Sequence, residues 1–404
     1  MQNTLDSIKP WHSIPLLLFG LLVALIGVLT WWYWDEPLAS PLSSSSAFRF
    51  FRDVQLTNQK SHAVYGFLPY WNLKKVTLQP ELTHVGYFDL GILADGTIQL
   101  RDDGAETPGY TGLRSDELLD IAKELEQNGG RLEIVFTQFS GADTAAFLNS
   151  PKAQEQFLST LDTIILAYPI SGVNIDIEPS GLTITDKLRA NYVTFISNLR
   201  LHLNKKYDTV PLSIDVYASA SNNQQIWDIP NLAPLVDYIV IMAYDYHRRS
   251  SVQAGPVAPI FGGQTLWDSD ISQHLREFVK QVPPEKLLLG MPFYGYEWQT
   301  TDQSSQSPTY PDTGSTATLT RVAEILSQKE KLNVKESWND QALAPYLSYV
   351  EDGKTYIVYY ENPRSISYKL DLVNQLDLGG VAIWALGYEG EDRVLWDVIH
   401  QKIR

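Results

Sequence analysis

The sequence contains no cysteine, and its 31 lysine and arginine residues are outnumbered by 47 aspartate and glutamate residues. The absence of cysteine excludes disulfide bonds, zinc fingers and thiol nucleophiles. The seven histidines show no metal-ligand spacing, so the sequence predicts neither a metal nor an organic cofactor. The net charge of -16 argues against a nucleic-acid partner, because phosphates bind to basic surfaces.

The N-terminal part of the chain differs in character from the rest. Residues 1–13 form a short tail, and residues 14–34 are uncharged and mostly apolar, a run long enough to cross a bilayer as one helix. Trp31, Trp32 and Trp34 at its end resemble an interfacial aromatic belt. We therefore predict a transmembrane anchor at 14–34 and a stem linker at 35–61.

The charges around this run favour a particular orientation. Lys9 precedes the run, and Asp35 and Glu36 follow it, which favours an N-terminus in the cytoplasm. We expect a single-pass membrane protein whose catalytic domain is extracytoplasmic, in the cell envelope or at the exterior. A cleaved signal peptide is the alternative, but its apolar region usually spans only about 7–15 residues.

Short apolar runs alternate with segments of helical period over residues 62–404, which is typical of repeated βα units and a parallel sheet. About 90 residues separate the last two strands, more than one helix needs, so we expect a small α+β insertion at about 296–367. Eight strands predict an α/β fold, a (β/α)8 TIM barrel. They are predicted at residues 63–70, 83–90, 131–138, 172–178, 211–217, 237–245, 286–294 and 380–386.

The fourth predicted strand carries the clearest chemical signal. Its polar side chains Asn174, Asp176 and Glu178 alternate with aliphatic ones, so they share one face of the strand. In a barrel this face points inward, where a charge is costly unless it is paired or useful. An antiparallel strand with one face in water is the alternative for this segment alone.

The same segment, SGVNIDIE at 171–178, is similar to the DGxDxDxE motif of glycoside hydrolase family 18, the chitinase family. The segment ending in MAYD at 242–245 resembles the M-x-Y-D motif of that family, and GVAIW at 380–384 matches its eighth strand. LGMPFYGYEW at 289–298, VYGFLPYW at 64–71 and LTHVGYF at 82–88 resemble its seventh, first and second strands. The likeness spans about residues 62–400 in family order.

The resemblance implies retaining hydrolysis of polymers of β-1,4-linked N-acetylglucosamine, either chitin oligomers or peptidoglycan glycan. Glu178 would protonate the departing glycosidic oxygen while the 2-acetamido oxygen of the substrate attacks the anomeric carbon. Asp176 would accept the acetamido N–H, and Tyr244 would hold the acetamido oxygen. Substrate-binding roles are expected for Asn174, Met242, Asp245, Trp384, Trp71 and Trp298.

Two positions depart from the family motif. Ser171 and Asn174 stand where the motif usually has aspartate. Because an amide cannot share a proton with Asp176, we expect Asp176 to be more simply ionised than in relatives with all three acids. Asn174 also resembles the variant found in bacterial members directed at the cell wall or spore, which favours peptidoglycan glycan.

Three other interpretations remain open from the sequence. The chain could be a catalytically weak or inactive, lectin-like member of the same family, or a tethered scaffold without glycan chemistry. The presence of Glu178 argues against the first, and two inward-facing acids argue against the second. A two-carboxylate retaining hydrolase would instead need a second acid about 5–5.5 Å from Glu178.

Overall fold

The computed structural model describes residues 62–207, 210–222 and 225–403. Its strands in chain order are β1 (Ala63–Pro69), β2 (His84–Gly91), β3 (Arg101–Asp102), β4 (Ala105–Glu106), β5 (Arg131–Ser140), β6 (Gly172–Ser180), β7 (Leu212–Tyr217), β8 (Tyr238–Met242), β9 (Leu287–Pro292), β10 (Tyr294–Thr300), β11 (Ser315–Thr318), β12 (Lys335–Asn339), β13 (Ala344–Glu351), β14 (Lys354–Tyr359) and β15 (Gly380–Trp384).

The α-helices are α1 (Pro108–Leu113), α2 (Asp116–Gln127), α3 (Gly141–Leu148), α4 (Pro151–Ala167), α5 (Asp186–Lys206), α6 (Ile229–Leu232), α7 (Ile271–Phe278), α8 (Leu319–Ser327), α9 (Pro363–Gln375) and α10 (Val394–Lys402). Short 3-10 helices occupy Tyr70–Asn72, Ala218–Asn222, Ala233–Leu235 and Pro284–Lys286. Side-chain caps fix several helix starts: Ser115 accepts from the backbone N–H of Leu118, and Asn362 forms a capping box with Ser365.

Eight parallel strands form a closed barrel in chain order, β1, β2, β5, β6, β7, β8, β9 and β15, with β15 pairing back onto β1. The eight-stranded barrel predicted from the sequence fits this arrangement. Each strand alternates an outward and an inward residue. On β6 the outward residues Val173, Ile175 and Ile177 are fully buried in the large apolar cluster that also includes helix residues such as Phe195.

The barrel interior contains both apolar and polar layers. Tyr65, Phe67 and Val240 belong to one small buried apolar cluster inside it. The inward positions of β5, β6 and β7 add buried polar groups, which are Glu133, Asn174, Asp176, Ser213 and Asp215. Since buried polar groups are costly without partners, this layer is where function is expected.

A five-stranded antiparallel sheet lies between β9 and β15, where the sequence predicts an insertion. Its strand order is β11, β10, β14, β13, β12, and α8 packs beside it. Arg321 of α8 donates two hydrogen bonds of 3.0 Å to Glu297 of β10, and Glu297 also accepts from Tyr349 of β13. The last strand of this sheet along the chain is β14, which ends at Tyr359. The predicted boundary at 367 falls later, inside α9, a helix that contacts the barrel strands β9 and β15.

The length and composition of the described helices can be compared with what a membrane-spanning helix requires. Within the described ranges, no helix combines the length and apolar composition needed to cross a bilayer. The longest, α5, carries charges along its length, including Arg189 and Arg200. The expectations of a barrel preceded by a transmembrane helix and of single-pass membrane localisation are corrected on this finding. The segments 14–34 and 35–61 on which they were based lie outside the described residues.

Candidate active site

Two carboxyl groups of β6 lie at the C-terminal end of the barrel, where the strands open into a cavity of about 320 Å³. Asp176 is 4% exposed, whereas Glu178, at the mouth, is partly exposed. The inward alternation of β6 brings both acids to the same side, as the sequence pattern predicts. The cavity is lined by Phe88, Phe139, Asp176, Glu178, Asp215, Tyr217, Met242, Tyr244, Asp245, Arg248, Tyr294, Tyr296, Thr316, Trp384 and Tyr388.

Burial dominates the electrostatics of the acid pair. It raises the pKa of the Glu178 carboxyl above its usual value, while a hydrogen bond with Tyr217 and the charge of Arg248 act in the opposite direction. Burial also raises the pKa of Asp176 well above its usual value, and the charges of Glu178 and Asp215 add to this effect. The pair can therefore retain a proton at higher pH than two exposed acids would.

This result is opposite to the expectation that Asp176 is simply ionised. The main reason is burial of the Asp176 carboxyl, and the charges of Glu178 and of Asp215, an acid that the sequence argument did not include, add to it. Asn174 of β6 donates to Asp215 Oδ1 on β7 at 2.8 Å and to Ser213 Oγ at 2.9 Å, and all three residues are buried. In addition, Asp176 Oδ1 is buried without a hydrogen-bond partner among the described residues, which disfavours the ionised form of the carboxyl.

The end of β8 contributes Met242, Tyr244 and Asp245 to the same cavity. Asp245 has a left-handed backbone conformation with a φ of 61°, a region that aspartate tolerates better than most residues. Its Oδ1 accepts hydrogen bonds from the hydroxyls of Tyr294 at 2.5 Å and Tyr296 at 2.8 Å, both on β10. Burial, then the charges of Asp215 and Glu178, raises the pKa of Tyr244 well above its usual value, so its hydroxyl keeps its proton.

Aromatic rings form one wall of the cavity. Trp384, at the end of β15, packs its ring edge-on against Phe88 with 4.8 Å between ring centroids. Trp71 is 42% exposed and packs edge-on against Phe88, with 6.1 Å between ring centroids. Flat apolar rings with one open face are suited to stack against a sugar.

The family model named "Glycosyl hydrolases family 18" matches residues 30–389. The chain belongs to glycosyl hydrolase family 18. It is therefore a glycoside hydrolase, and the family resemblance seen in the sequence is confirmed.

Three proteins illustrate how similar this chain is to its relatives. An uncharacterized glycosylase of Bacillus subtilis, YvbX, is 28% identical over 268 residues, which cover 65% of this chain and 70% of that protein. A cortical fragment-lytic enzyme of Bacillus anthracis is 24% identical over 77% of this chain and 66% of that enzyme, just under two thirds of its length. The structure of a Group IV chitinase of Ostrinia furnacalis, in complex with allosamidin, has the same fold, with a TM-score of 0.72 and 22% identity over 84% of this chain and 98% of that one.

The structure brings most of the expected family 18 residues together at the cavity. Glu178, Asp176, Tyr244, Met242, Asp245 and Trp384 all line it. Asn174 lies one layer deeper, fully buried beneath Asp176. Trp71 is not among the lining residues, but its ring contacts Phe88, which is.

Trp298 is the exception among these residues. It is fully buried in the core between the insertion and the barrel, where its ring N–H donates to the backbone oxygen of Arg248 at 3.1 Å. A ring with no exposed surface cannot border a sugar subsite, so the sequence-based expectation for Trp298 is corrected. Its contact with Arg248 instead fixes the loop that follows β8.

Sequence reasoning missed four prominent residues of the cavity. Asp215 and Tyr217 follow the same alternation on β7 as the acids on β6, so the segment LSIDVY carried a usable signal. Tyr217 hydrogen-bonds Glu178. Phe139 lies near the end of β5 and Arg248 lies in the loop after β8, and nothing in the local pattern marks either.

A second, wider depression of about 740 Å³ adjoins the first. The two share Tyr217, Met242, Tyr244, Asp245 and Arg248, so they form one continuous groove at the C-terminal end of the barrel. No group of three His, Asp or Glu side chains in the described ranges could hold a metal ion. Carboxyl groups placed together at a cavity, as Asp176 and Glu178 are, are suited to proton transfer and charge stabilisation.

Proposed function

We propose that the protein hydrolyses polymers containing β-1,4-linked N-acetylglucosamine, either chitin oligomers or peptidoglycan glycan, with retention of configuration and by substrate-assisted catalysis. The observation that carries the proposal is the pair Asp176 and Glu178, adjacent on one face of β6 at an open cavity. The relatives include a cortical fragment-lytic enzyme and a chitinase, and these names agree with such polymers. The continuous groove supports an extended substrate.

The first step uses Glu178 as general acid. Its raised pKa keeps a proton on the carboxyl, which passes to the departing glycosidic oxygen as the bond to the anomeric carbon breaks. The carbonyl oxygen of the 2-acetamido group attacks the same carbon and gives a cyclic oxazolinium ion. Glu178, now a carboxylate, then takes a proton from water as the water opens this ion, so that the acid is regenerated.

The neighbours of Glu178 position the acetamido group. Asp176 accepts the acetamido N–H, and its carboxylate stabilises the positive charge that develops on the ring. Tyr244 donates its hydroxyl proton to the acetamido oxygen, because its raised pKa keeps it neutral. Trp384 stacks beneath the sugar, Met242 shapes the floor, and Asp245 contacts the substrate.

The test compares the full-length protein with Glu178→Gln on N-acetylglucosamine oligomers and on purified peptidoglycan, with new reducing ends read by mass spectrometry. Removal of a general acid costs about 10²–10⁴-fold in rate. Glu124→Gln, on the exposed surface of α2, is the matched control and should cleave normally. The polymer that the wild-type protein cleaves identifies the substrate class.

Two results would contradict the proposal. If the folded wild-type protein released no reducing ends from either polymer, the hydrolysis of these substrates would be refuted. If it cleaved but a thiazoline mimic of the oxazolinium ion failed to inhibit, the substrate-assisted step would be wrong and a two-carboxylate mechanism would replace it.

A further inference from the structure

Two adjacent arginines, Arg248 and Arg249, lie on the loop that follows β8, beside the catalytic cavity. Arg248 lines the first cavity and the second depression, and both arginines line a third depression of about 400 Å³ that adjoins them. Both side chains are exposed, and neither guanidinium forms an ion pair with a described residue. In a chain of net charge -16, unpaired cations beside a substrate groove are suited to a ligand of negative charge.

The backbone of this loop is fixed by the insertion. Trp298 of β10 donates its ring N–H to the backbone oxygen of Arg248 at 3.1 Å, and the backbone N–H of Arg248 donates to Ser251 Oγ at 2.8 Å. A Cβ added at Gly314, just before β11, would lie 2.0 Å from the backbone oxygen of Arg249, so this glycine packs directly against the loop. Both arginines therefore extend from a preorganised backbone, which lowers the entropic cost of binding.

The guanidinium groups keep donors available for a ligand. The Nε–H of Arg248 donates to the backbone oxygen of Asp245 at 3.2 Å, while its two terminal nitrogens have no partner in the part of the chain that the structure describes. The side chain of Arg249 makes no hydrogen bond to any of these residues. Because a guanidinium presents pairs of parallel N–H donors, each of these two side chains can bind a carboxylate.

Two acids also border the third depression, Asp245 and Asp312. Asp245 Oδ1 accepts from the hydroxyls of Tyr294 and Tyr296, which stabilise its charge. Asp312 is exposed and forms no ion pair with the described residues. Its charge opposes the binding of an anion, so its removal provides a test with the opposite sign.

The two candidate polymers differ in charge. Oligomers of N-acetylglucosamine are neutral. In peptidoglycan glycan every second sugar carries a lactyl group, which either ends in a free carboxylate or is joined to a peptide stem that has carboxylates of its own. A neutral sugar offers no group that pairs with a cation, so unpaired arginines favour the acidic polymer.

We propose that Arg248 and Arg249 form a carboxylate-binding subsite beside the catalytic cavity, and that the substrate is the acidic glycan of peptidoglycan rather than chitin. The carboxylate belongs to the lactyl group or to the peptide stem. The inference rests on the proposed function, because it selects between the two polymers that this function allows. Since the charge of Arg248 also acts on Glu178, Arg249 is the better residue to test.

The test compares the full-length wild type with Arg249→Gln, which removes the charge and keeps much of the side-chain length. The substrates are N-acetylglucosamine oligomers, peptidoglycan glycan stripped of its peptides, and the same stripped glycan with its lactyl carboxyl reduced to an alcohol. Arg249→Gln should lower kcat/KM on the acidic glycan about fivefold, through KM, and leave both neutral substrates within about twofold of wild type. Added salt should shrink the difference on the acidic glycan.

The matched control is Arg276→Gln, because Arg276 is an exposed arginine of α7 that lines none of the three depressions. It should leave kcat/KM on every substrate unchanged. Asp312→Asn should raise kcat/KM on the acidic glycan about twofold.

Glycan that keeps its peptide stems separates the two sources of the carboxylate. An effect of Arg249→Gln on the stripped glycan alone assigns the carboxylate to the lactyl group, and an effect on the stem-bearing glycan alone assigns it to the stem. Either result supports the subsite.

Binding gives a readout that needs no turnover. In the Glu178→Gln background, calorimetric titration should show that the acidic glycan binds about fivefold more tightly than its reduced form, and that Arg249→Gln removes this preference. This result supports the subsite even if neither polymer is cleaved, in which case only the proposed function fails. The subsite is overturned if the acidic glycan does not bind, if it binds no better than its reduced form, or if Arg249→Gln matches Arg276→Gln in binding and cleavage.

Discussion

Asp245 is held at the cavity by two tyrosines of the insertion, and the removal of their hydroxyls is a sharp test of how the site is supported. Tyr294 and Tyr296 both donate to the same oxygen, Asp245 Oδ1, at 2.5 and 2.8 Å. Both rings are almost fully buried, with 4% and 7% of their surface exposed. Tyr294→Phe and Tyr296→Phe each remove one hydroxyl and keep the ring.

The expected loss of unfolding free energy can be estimated from the type of hydrogen bond that is removed. A hydrogen bond to a charged group contributes about 1.5–3 kcal/mol, and water from the cavity can replace part of it, so each single variant should lose about 1.5 kcal/mol of unfolding free energy. After both changes the carboxylate oxygen has neither donor. The double variant should therefore lose about 1 kcal/mol more than the sum of the two.

Urea unfolding measures the stability, and kcat/KM on the active polymer measures the effect at the site. A loss of 1.4 kcal/mol from the transition state lowers kcat/KM about tenfold. Tyr356→Phe is the control, because Tyr356 lies in the same sheet and stacks on Tyr349 at 4.8 Å. If the double variant matched this control in stability and in kcat/KM, the proposed support of Asp245 by β10 would be wrong.

Two further predictions test other parts of the molecule. Lys369 and Glu361 form an ion pair at 2.8 Å with side chains 0% and 2% exposed, so Lys369→Met should cost about 3–5 kcal/mol in urea unfolding. Lys369→Met/Glu361→Leu should recover most of that loss; a stable single variant would contradict the argument. Trp384→Ala should raise KM for the oligosaccharide about tenfold, because a stacking ring is lost. Trp298→Phe keeps a buried ring but loses the hydrogen bond to Arg248, so it should raise KM much less than Trp384→Ala does, and equal effects of the two would refute the separation of wall and core.

The part of the site on β6 could be predicted because strand alternation is local. Strand alternation alone puts Asn174, Asp176 and Glu178 on one face of β6, and in a barrel that face points inward. The same rule applied to β7 places Asp215 and Tyr217 inward as well. What the rule does not give is the register between strands, which depends on barrel closure and which brings Asp215 to Asn174.

Other features depend on tertiary contacts and left no local signal. The left-handed conformation of Asp245 is set by the turn after β8. Trp298 was misassigned because it shares a face of β10 with Tyr294 and Tyr296, and alternation does not show how far along that face the cavity extends. Its ring packs under the insertion, and Tyr296, two positions earlier on the same strand, reaches the cavity edge.

The insertion is therefore better understood as part of the active site than as a separate module. β10 begins directly after β9, and through Tyr294 and Tyr296 it holds Asp245. Through Trp298 it holds the backbone of Arg248, whose guanidinium faces Glu178 and lowers the pKa of that acid against the effect of burial. A loop that carried Asp245 and Arg248 without these contacts would lose both the geometry and the charge balance of the cavity. It follows that substitutions in β10 should alter the acid pair on β6 even where they touch no substrate.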